Sequence, residues 1–469
     1  MKTYPAVKVL LVLPSYAFMY NGTLVKIGAI YVPNLSLSTI AGALVKEGVD
    51  VHILDLNRKT EKDFIILLNK FNPDFVGFTF TTPLAEETLR LAKIAKKIKP
   101  EAVIICGGPH PSVMPLQVLS SGAIDVVCIG ESDYTVLDIV RGKPYEDIKG
   151  IAFVRRDDKS YCETGPGGAI TELDGLTFPA WNLFNISEYR TTRLFSRRDP
   201  VGFIETSRGC PYGCIYCNKK IFGKSFRAKS IKRVVDEMEY MLTCGFREIH
   251  LADDCFSFDI ERAKGICEEI MKRGLKFSWA TTNGIRVDRI DDELMRLMKR
   301  AGCYCVSFGI ESGDDAILAL AHKGQTCSQA RNAITHAKSA GLEVIGFFMF
   351  ALPGETEVTM QKTINFAKEL DLDMAKVSIA IPFPGTQYFE ELKKHGSIKE
   401  TDWSKYNCYF PAREIYQHPS VSWDTVDIYF KRFYREFYLR PKFISKRFIK
   451  GFLNGGFISD INDFLRTKW

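Results

Sequence analysis

Three cysteines on one short stretch carry the strongest chemical signal in the chain. Cys210, Cys214 and Cys217 are spaced CxxxCxxC within GFIETSRGCPYGCIYCNKK (202–220). Thiolates are soft ligands, suited to iron–sulfur clusters or zinc. Gly209, Pro211 and Gly213 keep the stretch a curved loop, and a curved loop can aim several thiolates at one inorganic centre. A four-iron cubane held by three cysteines leaves one iron open, where a substrate can bind to a Lewis acid. Structural zinc normally closes its shell with four protein ligands, yet no Cys or His stands between 218 and 243. Cys244, Cys255, Cys267, Cys303, Cys305 and Cys327 show no second cluster spacing and read as core residues; Cys255, beside Asp254, is the one to watch. The chain holds 13 cysteines, an odd number, and its opening MKTYPAVKVLLVLPSY has no small-residue cleavage site. Reduced thiols in a cytoplasmic protein are therefore expected.

A scaffold must position that loop. The chain has 469 residues, 46% hydrophobic and 25% charged, the composition of a globular protein of several domains. No apolar run is long enough to span a membrane. A net charge of +7, from 63 basic and 56 acidic residues, is too small to argue for nucleic acid. Residues 1–145 alternate strand and helix: strands at 7–14, 49–56, 73–82, 102–108 and 124–131, helices at 36–48 and 83–100. That rhythm predicts a doubly wound, Rossmann-like parallel sheet, which binds ligands at the carboxyl ends of its strands. Gly107, Gly108 and His110 lie in one such loop, GGPHPS (107–112), and Gly130 and Glu131 in another, GESDYT (130–135). Paired glycines let backbone approach a ligand closely. Neither GxGxxG nor GxxxxGK[ST] occurs, so a dinucleotide or a phosphate-cradling ATPase loop is not expected. Residues 146–195 read as a linker containing a β-hairpin that turns at Asp157–Lys159.

CxxxCxxC with Tyr216 just before its third cysteine resembles the cluster loop of radical S-adenosylmethionine enzymes. Later segments follow in that family's order: REIHLADDCFSF (247–258), FSWATTNGIRVD (277–288), YCVSFGIESGDD (304–315), VIGFFMFALPGET (344–356) and VSIAIPFPGTQYF (377–389). The resemblance implies a partial (β/α)6 barrel over 196–390, with active residues at the carboxyl ends of its strands. A doubly wound domain ahead of such a barrel, with GGPH and GE loops, resembles the cobalamin-binding class, the class B methyltransferase-like family. The cobalamin-ligating DxHxxG is absent: after Asp50 and His52, position 55 is Asp rather than Gly. This implies cobalt without a histidine ligand. Ala351 stands where the family usually has glycine before LPGET, a change expected to affect packing only.

The resemblance assigns roles. Cys210, Cys214 and Cys217 would bind a [4Fe–4S] cluster, whose open iron would chelate S-adenosylmethionine. Asp253 or Asp254 would accept from the ammonium of that molecule. Asn283 and Arg286 would meet its carboxylate, Glu311 and Ser312 its ribose, and Tyr216 its adenine. Pro382, Pro384 and Gly385 would shape the floor. Gly107, Gly108, His110, Gly130 and Glu131 would face cobalamin. The expected chemistry is reductive cleavage to a 5′-deoxyadenosyl radical, then methylation of an unactivated carbon in a lipid, peptide or secondary metabolite. Alternatives are a cobalamin-binding cyclase or oxidase without methyl transfer, or a non-catalytic iron–sulfur electron-transfer protein. A flavodoxin- or ferredoxin-type electron donor is implied. Residues 391–469 read as a helical basic and aromatic region, with eight basic residues and one acid between 431 and 450. That segment suits a lid over the barrel, or a peripheral contact with an anionic membrane.

Overall fold

The computed structural model describes residues 7–20, 31–191, 196–407 and 411–445. Its first sheet has seven strands: β1 (Lys8–Leu13), β2 (Asp50–Asp55), β3 (Phe75–Thr79), β4 (Val103–Gly107), β5 (Val126–Cys128), β6 (Ile151–Val154) and β7 (Tyr161–Glu163), in the order β2-β1-β3-β4-β5-β6-β7. Strands β1 to β5 run parallel, as the strand–helix alternation requires. β1 explains why the sheet has helices on both faces. Its alternate residues Leu10 and Val12 enter one apolar cluster and Val9, Leu11 and Leu13 another. The hairpin expected in the linker is instead the edge of this sheet: β6 pairs antiparallel with β5, and β7 with β6.

The second sheet contains β8 (Val201–Ile204), β11 (Glu248–Leu251), β12 (Ser278–Ile285), β13 (Cys303–Glu311), β14 (Glu343–Phe350) and β15 (Met374–Ile379), all parallel, in the order β15-β14-β13-β12-β11-β8. A two-residue ribbon, β9 (Ser207–Arg208) against β10 (Arg227–Ala228), flanks the cysteine loop. Helices with clear start signals separate the parallel strands. The Cys327–Ser339 and Glu357–Glu369 helices begin with capping boxes, and the Ile231–Thr243 helix is capped by Ser230. On β13, Val306, Phe308 and Ile310 are fully buried. The amino end of the barrel is plugged by Glu248, which accepts from the amides of Arg197 and Arg198 at 2.9 Å each and from the Tyr304 hydroxyl at 2.7 Å. That polar plug leaves the carboxyl ends of the strands for chemistry.

The Trp423–Tyr438 helix closes the open edge of the barrel. Tyr434 donates to the Val377 carbonyl at 3.0 Å and accepts from its amide at 3.3 Å. Tyr438 treats Ala375 the same way, at 2.7 and 3.2 Å. Two hydroxyls one helical turn apart thus satisfy the groups that β15 would otherwise present to solvent. Phe433 and Phe437 are buried beneath them. The aromatic face that suggested a membrane contact is therefore occupied largely by packing; Lys431 and Arg435 remain exposed, and so do Ile428 and Leu439. No helix among the described residues is long and apolar enough to cross a membrane; the rest of the basic segment, from 446, lies outside the described residues. Tyr438→Phe, which strands both the amide and the carbonyl of Ala375, is expected to cost about 1–3 kcal/mol in denaturant unfolding; no change would show that the edge needs no cover.

Candidate functional site

A cavity of about 470 Å³ opens where strand order reverses between β1 and β3, the position where doubly wound sheets bind ligands. Its first-domain wall includes Gly107, Gly108, Gly130 and Glu131, and its opposite wall Cys210, Cys217, Lys219 and Asp254. The two loops singled out in the first domain therefore face the cysteine loop across one space. Two of these glycines are required by conformation. Gly108 has φ +105°, and a Cβ there would lie 2.9 Å from Thr79 Oγ1. Gly130 has φ +78°, and its Cβ would stand 3.5 Å from the carbonyl oxygens of Lys220 and Ile221, so the two domains meet at this residue.

The cysteine loop is held by its backbone. The Cys210 amide donates to the Gly223 carbonyl at 3.4 Å, and Lys219 Nζ donates to the Cys210 carbonyl at 3.0 Å. The Ile215 amide donates to the Ala321 carbonyl, and the Tyr388 amide to that of Ile215, which pins the loop to the end of the Asp315–Leu320 helix and to the Gln387–Lys394 helix. Two of the three thiols are biased toward ligation, while Cys217, as the partner of Cys214, is pushed up. Hydrogen bonds from Cys255 and Cys217 hold Cys210 and Cys214, respectively, below the usual thiol range. A thiolate is the form that binds metal. No three His, Cys, Asp or Glu side chains among the described residues converge on a single ion. A cubane offers a separate iron to each thiolate, so this three-cysteine loop fits a cluster and not a lone zinc. The glycine-lined wall and its apolar depth, which reaches Leu11 and Ile40, fit the close backbone approach of a large cofactor such as cobalamin.

The other expected residues divide. Asp254 opens on the cavity, but Asp253 is buried and accepts from the Thr206 amide at 2.7 Å and from the Thr206 and Ser207 hydroxyls at 2.5 Å each. It fixes the strand exit before the loop instead of reaching a ligand. Asn283 donates to the Asp253 carbonyl at 3.0 Å. Arg286 donates to Asp288 and to the carbonyls of Lys323 and Gly324, with its guanidinium 3.4 Å from the centre of the Tyr212 ring. Glu311 accepts from Lys323 Nζ at 2.7 Å. Ser312 is fully buried, and its hydroxyl meets Thr363 and the Asp314 amide instead of open space. The Tyr216 hydroxyl is buried without an oxygen or nitrogen partner. Gly385, at φ +81°, packs against Val113, so the expected floor is partly a domain contact.

His110 needs correction. It lies on the Pro109–Val113 helix, not in a loop, and is outside the cavity wall. It sits between Phe80 and Trp403, with Nδ1 3.3 Å from Thr82 Oγ1, and burial pushes its pKa down to about 4. Glu131 does line the cavity, but Arg208 engages one of its oxygens at 2.8 Å and Arg227 the other at 2.6 Å. Ala351 has φ +60°, so the usual glycine there answers to backbone conformation and not to packing alone.

Sequence reasoning missed the ion cluster. Arg208 also bonds Asp133 through two nitrogens at 2.8 and 3.1 Å and Glu205 at 2.6 Å. Its place beside Gly209–Cys210, and that of Asp133 inside GESD, were the available signals. Glu205 lines the cavity, and burial raises it to about 7 despite Arg208. A carboxyl raised in the folded state binds more protons there than in the unfolded chain, so its contribution weakens the fold as pH rises from about 4.5 to about 7. Glu205→Gln is expected to reduce the loss of urea stability between pH 5 and pH 8; an unchanged loss would place the titration elsewhere.

Comparison with known proteins agrees with this arrangement. A family model described as the B12 binding domain matches residues 24–140, and one described as the Radical SAM superfamily matches 204–367. An uncharacterized methyltransferase of Pyrococcus horikoshii is 32% identical over 466 residues, covering 95% of this chain and 98% of the relative. The anaerobic magnesium-protoporphyrin IX monomethyl ester cyclase of Cereibacter sphaeroides is 30% identical over 398 residues, covering 81% of this chain and 63% of the relative. The solved radical S-adenosylmethionine methyltransferase TsrM of Kitasatospora setae, with cobalamin and a [4Fe–4S] cluster bound, has the same fold: TM-score 0.69 at 20% identity, over 85% of this chain and 76% of that one.

Proposed function

Since the chain belongs to the cobalamin-dependent radical S-adenosylmethionine enzymes, we propose that it transfers a methyl group to an unactivated carbon of a small-molecule, lipid or peptide substrate. The observation that carries the reading is the shared cavity, with Gly107, Gly108 and Gly130 on one wall and Cys210 and Cys217 on the other. When bound, the cluster would supply the electron that cleaves S-adenosylmethionine reductively and cobalamin the methyl group.

The chain's own residues then have three tasks. Cys210, Cys214 and Cys217 bind the cluster, and the amide bonds to Gly223 and Ala321 hold their loop in place. The glycines bring backbone close to the corrin, and Lys219 and Asp254 supply polar contacts on the facing wall. Glu311, with one oxygen on Lys323, offers the other to the ribose hydroxyls, and Tyr216 lies beside it on the cluster loop. The Glu248 plug fills the amino end of the barrel, and the two tyrosines cover its β15 edge.

The test uses anaerobically purified protein reconstituted with iron and sulfide and supplied with hydroxocobalamin. Cobalamin retained through desalting, 5′-deoxyadenosine formed with a strong reductant, and accompanying S-adenosylhomocysteine are expected. Cys210→Ala, Cys214→Ala and Cys217→Ala should each abolish 5′-deoxyadenosine. 5′-Deoxyadenosine without S-adenosylhomocysteine, once substrate is present, would favour a cyclase-like outcome over methyl transfer. Loss of cobalamin on desalting would overturn the reading of the first domain.

A further inference from the structure

Lys323 lies in the turn after β13 and the short helix that follows it, with only 10% of its side chain exposed. Its Nζ stands 2.7 Å from Glu311 Oε1, on a carboxylate buried to the same degree. The surroundings are built around this pair. A Cβ at Gly309 would lie 2.8 Å from Glu311 Oε1 and 3.0 Å from Lys323 Nζ, so the glycine of FGIES keeps the space open. Gln325 Nε2 donates to the Gly309 carbonyl at 2.7 Å. Arg286 donates to the carbonyls of Lys323 and Gly324 while its guanidinium lies on Tyr212 of the cysteine loop. The turn is wound tightly: His322 and Gly324 have φ of +52° and +64°, and Glu311 itself +66°.

Glu311 and His322 are non-glycine residues in the left-handed region, and strain of this kind collects where a side chain must be aimed. A buried ion pair adds little net stability over an apolar pair of the same volume. The arrangement is therefore better explained by orientation than by stability. Glu311 has one oxygen committed to the ammonium and one left over.

We propose that Lys323 is a positioning residue, which fixes the Glu311 carboxylate so that its second oxygen meets the ribose of S-adenosylmethionine. The proposal rests on the functional reading above and adds to it the residue that orients the contact. Lys323 acts through Glu311 and does not touch the ligand.

The experiment is equilibrium dialysis of S-adenosylmethionine against cluster-loaded protein, with iron content measured alongside. K323M is expected to weaken binding at least tenfold at full iron loading, and E311Q by a similar factor. The double variant should lose no more than the worse single one, because both changes remove the same contact. K323R should recover binding to within threefold of the parent. Formation of 5′-deoxyadenosine at saturating S-adenosylmethionine should fall less than twofold in K323M, so the loss appears in KM and not in kcat. Binding by K323M within twofold of the parent, or losses that multiply in the double variant, would overturn the proposal. If K323M does not load iron, K323Q takes its place: binding at least tenfold weaker than the parent on a full cluster supports the proposal, and binding within twofold overturns it. Parent protein that loads its cluster and binds no S-adenosylmethionine would overturn the functional reading itself, and this inference with it.

Discussion

The Arg208 guanidinium lies only 5% exposed between carboxylates from both domains: Glu131 and Asp133 from the first, Glu205 from its own. Arg227, 8% exposed, takes the second oxygen of Glu131. Charges this buried are costly to desolvate, and they are tolerated only when every partner is in place. Losing Arg208 would leave Asp133 a buried charge without its partner, a penalty of about 3–5 kcal/mol. Such a network does little to drive folding, but it discriminates sharply among ways of docking the two domains. Because Arg208 is two residues before Cys210, and Glu131 directly follows Gly130, the contact that joins the domains also sets the glycine loop against the cysteine loop. The cavity is a consequence of that contact.

The barrel adds a second constraint. Glu311 ends β13 at φ +66°, and Ala351 follows β14 at φ +60°. Both are non-glycine residues in a region that costs L-amino acids about 1–2 kcal/mol. They lie at the carboxyl ends of adjacent strands, while the amino ends carry the relaxed polar plug around Glu248. Strain on one face and satisfied hydrogen bonds on the other match the division of labour expected of barrel folds. The Tyr434 and Tyr438 hydroxyls make the incomplete barrel workable, because they replace the neighbour that β15 lacks.

Much of this was legible in the sequence. The strand–helix rhythm of the first domain reflects local periodicity, which a sequence displays directly, and the barrel segments are legible through their resemblance to a family's ordered motifs. The three cysteines announce themselves by spacing. Pairings across a domain boundary do not. The hairpin at 151–163 has the pattern of an isolated unit, and only β5 shows that it closes a sheet. His110 follows two ligand-facing glycines, yet Pro109 starts a helix that turns it toward Trp403, nearly three hundred residues away. Asp253 and Asp254 are adjacent and chemically equal, but one is consumed by Thr206 and Ser207 and the other faces the cavity. Arg208 and Lys323 escaped notice because arginine and lysine are ordinary surface residues until their burial and partners are known.

The claim beneath the whole account is that one cavity presents the corrin to the cluster. Anomalous scattering at the iron and cobalt edges, from crystals of protein loaded with both groups under anaerobic conditions, locates the two metals independently of any fitted ligand. The account predicts iron within bonding distance of Cys210, Cys214 and Cys217, and cobalt in the cavity between that loop and the Gly108 and Gly130 turns. Cobalt located anywhere else, in protein whose three cysteines carry iron, would contradict it.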